Sequence, residues 1–130
     1  MSRPSHEKWI ERSQYDLETA DALLAAGRYI YVVFMCQQAV EKTFKAVLAF
    51  RGLEVPPIHN LRRLAEAGGF LRELQHDELR RLDFLLQFYL NARYKEDIQE
   101  LSRQVGEDTA REFVRWAREK VTWCTRELMR

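Results

Sequence analysis

The apolar positions recur at helical spacing in five separate stretches. In the first, Trp9, Ser13, Leu17, Ala20 and Leu24 follow one another at steps of three and four. The second, residues 29–51, carries Val32, Cys36, Ala39, Val40, Thr43, Val47 and Phe50 on one broad face. A short third stretch, 60–67, points Leu61, Leu64 and Ala65 inward. A fourth, 77–94, has Leu79, Leu82, Leu86, Tyr89 and Leu90 on one side. The last runs through Ala110, Phe113, Val114, Ala117, Val121, Cys124 and Leu128. Each pattern is the stripe of an amphipathic helix packed on a core, and none alternates as a strand would. Gly27 and Gly52 stand where helices close, Pro56-Pro57 cannot continue one, and Gly68-Gly69 and Gly106 mark further breaks. The polar stretch 95–108 predicts either partial disorder or an extension of the fourth helix, followed at Glu107-Asp108 by an acid-rich helix start. The prediction is all-α: an antiparallel up-and-down bundle of four main helices and a short one, with residues 1–130 forming a single domain.

Composition narrows the function. A chain of 130 residues has room for one domain, and 46% apolar residues supply a core. With 21 Lys+Arg against 20 Asp+Glu the net charge is +1. That excludes a strongly basic nucleic-acid module and an acidic tail. Mean hydropathy is −0.47, no apolar run reaches a membrane span, and the first residues lack the apolar stretch of a secretion signal. Cys36 and Cys124 sit within apolar patterns, so they are expected to be reduced, packed thiols of a cytoplasmic protein. No Cys/His cluster or Gly-rich phosphate loop is present, and neither metal nor cofactor is expected.

Two features stand off the apolar stripes. Gln38, Glu41, Lys42 and Lys45 share one side of the second helix. They form either a solvated face, with a Glu41–Lys45 pair worth ~0.3–0.5 kcal/mol, or a polar groove for a phosphate, a base or a partner helix. Trp116 and Trp123 are seven apart on the last helix, beside a face with six basic and three acidic residues, Arg111 through Arg130. They are candidates for a bundle edge or a dimer patch.

The sequence Gln37-Gln38-Ala39-Val40-Glu41-Lys42-Thr43-Phe44-Lys45-Ala46 resembles the Gln-Gln-Ala-x-Glu-Lys-x-x-Lys-Ala signature of small prokaryotic HEPN-domain proteins (higher eukaryotes and prokaryotes nucleotide-binding). Pro57-Ile58-His59-Asn60-Leu61 resembles the start of that family's third helix, and Tyr89-x-x-x-Arg93-Tyr94 the end of its fourth. The resemblance implies a bundle of about five helices, usually a homodimer. It also implies a minimal nucleotidyltransferase as partner in a two-part, toxin–antitoxin-like module, and a nucleotide or RNA ligand.

Some branches of the family are metal-independent ribonucleases, marked by an Arg, four to six residues, then a His. Here His59 follows Arg51 by eight positions across a glycine and two prolines, His76 follows Arg72 by four, and no His follows Arg93. Ribonuclease activity is therefore not inherited with the resemblance. Lys95 replaces a common proline, and Asn60 a common Asp.

The candidate ligand-binding set is Gln38, Glu41, Lys42, Lys45, His59, Arg93 and Tyr94. Arg93 would grip a phosphate, Lys42 or Lys45 would add charge, Tyr94 would stack on a base, and His59 would donate or accept a proton. The expected function is a dimeric nucleotide- or RNA-phosphate-binding module. The alternatives are a divergent ribonuclease using Arg93, Tyr94 and Glu41, and a scaffold without a ligand.

Overall fold

The computed structural model describes residues 5–94 and 98–130, and all side chains among them except those of 91–94, 98, 99 and 101. It contains α1 (Ser5–Ala25), α2 (Tyr29–Phe50), α3 (Leu61–Gly68), α4 (His76–Tyr94), α5 (Ile98–Gln104) and α6 (Glu107–Trp123). A 3-10 turn at Leu71–Glu73 leads into α4, and a π turn at Cys124–Leu128 ends the chain's last helical run. The fold is all-α.

Helix α2 is the axis of the bundle. Helix α1 folds back along its length, and α3, α4, α5 and α6 all touch it. The α1–α2 reversal takes three residues. Gly27 adopts φ +74°, which an L side chain rarely does, and so lets the Arg28 N–H reach the Leu23 carbonyl at 2.9 Å. Asn60 opens α3 by accepting the Arg63 N–H on its side chain at 3.2 Å. At the other end of α3, Gly68 lies so close to its neighbours that a Cβ would meet the Phe70 ring at 2.5 Å and Leu48 at 2.9 Å. That approach lets Phe70 enter the core edge-on to Phe44, with ring centroids 5.0 Å apart.

The stripes of α1, α3 and α6 are buried largely as their spacing predicts. Helix α4 differs. It buries Leu82, Leu85 and Phe88, whereas Leu90 is 38% exposed and Leu79, Leu86 and Tyr89 are half-buried. Leucines at both 85 and 86 create two overlapping stripes, and spacing alone does not choose between them. Of the polar stretch 95–108, residues 95–97 lie outside the described residues. Residues 98–104 form helix α5, and Val105 after it is buried.

The reading of Trp116 as standing off the core is corrected: it is 7% exposed, edge-on to Phe113 and covered by Arg81 of α4. A second helix covers the side of α6 that the α6 stripe leaves bare. Trp123 is half-buried and packs against Phe70 and Lys120.

Candidate functional site

The polar side chains of α2 do not face solvent. Because α1, α3 and α4 surround it, α2 is buried around most of its circumference, and Gln37, Glu41, Thr43 and Lys45 lie inside. A buried carboxylate is tolerated only with partners. Glu41, whose side chain is 5% exposed, has three. Lys45 Nζ, one turn along the helix, donates to Oε2 at 3.1 Å. Gln37 Nε2, one turn before, donates to Oε1 at 3.2 Å. His59 Nδ1 lies 3.0 Å from Oε1 and 3.1 Å from Oε2.

The loop delivers His59 by a simple device. Pro56-Pro57 excludes helix, the Ile58 N–H closes a tight turn onto the Pro56 carbonyl at 2.9 Å, and Asn60 starts α3. Between these fixed points the His59 carbonyl accepts from Gln37 Nε2 at 3.2 Å, which pins the loop to α2. With the imidazole held by the Glu41 carboxylate through Nδ1, the proton belongs on Nδ1. Nε2 then has no protein partner among the described residues, and the side chain is 45% exposed. The Tyr89 ring lies 5.4 Å from the imidazole and stacks in turn on Phe34 at 5.9 Å. The result is an oriented, half-exposed imidazole on an aromatic wall.

The cations are committed inside. Lys45 is 8% exposed, paired with Glu41, and 5.6 Å from the face of Trp9. Lys42 turns to α1, where it pairs with the buried Asp16. Neither is an open phosphate-binding charge.

Of the candidate residues, Glu41, Lys45 and His59 come together, and Gln38 joins at the edge by donating to Gln37 Oε1 at 3.2 Å. Lys42 belongs to a separate pair. The side chains of Arg93 and Tyr94 lie outside the described residues. Sequence reasoning missed Gln37, Tyr89 and Asp16. Gln37 is one turn before Glu41, and Asp16 is an acid beside Leu17 on a buried stripe, so both left a spacing signal.

The two thiols are unsuited to chemistry. Burial pushes Cys36 and Cys124 up to about 12, so the reactive thiolate is scarce near neutral pH. Among the described residues no group of three His, Cys, Asp or Glu side chains is placed to hold a metal ion, and no helix is long and apolar enough to cross a membrane.

A helical bundle wound on one buried helix is the fold of a known family. The HEPN domain family model matches residues 6–128, and the chain belongs to the HEPN family. Among solved structures it is similar to ST0689, an archaeal HEPN homologue, at 28% identity and a TM-score of 0.75, covering 98% of this chain and 99% of that one. It shares its fold with TT1696 from Thermus thermophilus at 20% identity and a TM-score of 0.74, covering 95% and 98%. No curated protein matches.

Proposed function

We propose that this HEPN protein is a nucleotide- or RNA-phosphate-binding module, acting in the cytoplasm as the dimeric partner of a minimal nucleotidyltransferase in a two-part system. The observation that supports the binding role most is the Glu41–His59 pair. The buried Glu41 carboxylate accepts from Nδ1–H and orients the half-exposed imidazole, and a protonated imidazole so held donates Nε2–H to a phosphate oxygen. Lys45 and Gln37 hold the carboxylate and so act on the ligand through His59.

Calorimetric titration with AMP and with a short RNA tests this. His59→Ala is expected to weaken binding about tenfold or more, the loss of one charge-assisted hydrogen bond. Equal affinity in the variant with an intact circular-dichroism spectrum removes the reading. Co-purification from host lysate is expected to bring down a nucleotidyltransferase.

The same pair favours a second reading, a divergent metal-independent ribonuclease. A carboxylate-oriented imidazole is the arrangement of a general acid–base catalyst. RNA cleavage that survives chelator and vanishes in His59→Ala selects this reading. A melting temperature unmoved by every nucleotide and RNA selects the scaffold, since any ligand of the native state must raise it.

A further inference from the structure

On the opposite side of α4 from His59, an open cleft of about 610 Å3 runs between α4, the end of α5 and the start of α6. Its size falls within the ~300–1,000 Å3 of small-ligand sites. Phe84 lies in its wall, 39% exposed, and stacks on Phe113 with ring centroids 5.5 Å apart and planes 21° apart. Phe88 extends the stack behind it at 6.2 Å. A partly exposed aromatic ring packed on two others is a stacking platform.

Beside it lies Arg81. Its guanidinium sits over Phe113 at 5.2 Å and over Trp116 at 5.7 Å. Arg81 forms no ion pair with a carboxylate among the described residues. Its neighbour Arg80 is already paired with Asp77 at 2.6 Å. A guanidinium packed against two rings that meet near a right angle is held in place and has less freedom left to lose on binding. Gln104, Thr109 and Glu112 complete the lining and offer hydrogen-bonding groups of both kinds.

We propose that this cleft binds one nucleotide unit, with the base stacked on Phe84, the phosphate on Arg81, and the sugar or base edge met by Glu112, Gln104 and Thr109. The combination selects the ligand. A free anion would use Arg81 and ignore Phe84, and an apolar partner would use Phe84 and leave Arg81 unpaired. A planar base carrying a phosphate uses both. The unit can be a free mononucleotide or one residue of an RNA strand, and the chemistry is shared. The proposal is independent of the His59 reading, because Phe84 and Tyr89 lie ~140° apart around α4.

Tryptophan fluorescence reports on the cleft, since Trp116 touches Arg81. The full chain is titrated with AMP, with inorganic phosphate and with a short oligouridylate. AMP or the oligouridylate is expected to bind, and phosphate alone to bind at least tenfold more weakly. Phe84→Leu keeps apolar volume and removes the ring, and it is expected to weaken binding ~10-fold or more. Arg81→Gln, on the surface of α4, is expected to do the same and serves if Phe84→Leu fails to fold. Binding of AMP supports a free mononucleotide, and cleft-dependent binding of the oligouridylate alone supports a strand. No binding of either, phosphate binding as well as AMP, or binding that neither cleft variant weakens overturns the proposal.

Discussion

Glu41 shows what one residue's surroundings decide. Spacing places Glu41 and Lys45 one turn apart, which on an exposed helix is worth only a few tenths of a kcal/mol. The structure buries both, so breaking the pair leaves an uncompensated charge. Glu41→Gln is expected to destabilise the protein by about 3–5 kcal/mol in urea denaturation, and Glu41→Leu with Lys45→Met to recover most of that loss. A cost under about 1 kcal/mol would show that water reaches the pair. The i, i+4 relation was legible in the sequence. The burial was not, because it comes from α1, α3 and the His59 loop closing over a stripe that looks solvated on a single helix.

The thiols make the second prediction at this scale. Their raised value in the folded state, about 12 against an ordinary 9.0, means the unfolded chain ionises first. Stability from this source is complete below about pH 9 and is lost between pH 9 and 12. Replacing Cys36 and Cys124 by Ala is expected to flatten that alkaline decline in thermal melts, and iodoacetamide to label the native protein no faster than it opens.

At the scale of elements, caps and close contacts fix where helices start and meet. Asn60→Ala removes the N-cap of α3 and is expected to cost about 1 kcal/mol. Gly68→Ala drives a methyl into Phe70 and Leu48 and is expected to cost about 1–3 kcal/mol by overpacking. Both are read by denaturant midpoints, and a neutral Gly68→Ala would mean that Phe70 swings aside freely. The Asn60 boundary and the Gly27 reversal were readable because each rests on local backbone chemistry. The face of α4 was not, since Leu85 and Leu86 fit rival stripes and only the packing partners decide. Trp116 was misplaced for the same reason: the helix that covers it is remote in sequence.

For the whole molecule, the all-α bundle followed from periodicity, and three short motifs in order carried the HEPN family. The site followed less completely. The motif residues Glu41, Lys45 and His59 do converge, but they converge inward. Two lysines that spacing offers as phosphate ligands are occupied by Glu41 and Asp16. Partly exposed instead are His59 and, on another side of α4, the ring of Phe84 beside Arg81. The proposed binding at His59 therefore depends on a buried charge that positions it, with Glu41 as the link between core and surface.

That link is tested most directly by a long-range proton–nitrogen spectrum of the imidazoles, recorded on the free protein and with AMP or a short RNA added. The account predicts that His59 carries its proton on Nδ1 in the neutral form, that Glu41→Gln disturbs this, and that the ligand shifts the Nε2 resonance. A proton on Nε2 in the free protein, or an Nε2 resonance that no nucleotide moves, contradicts it.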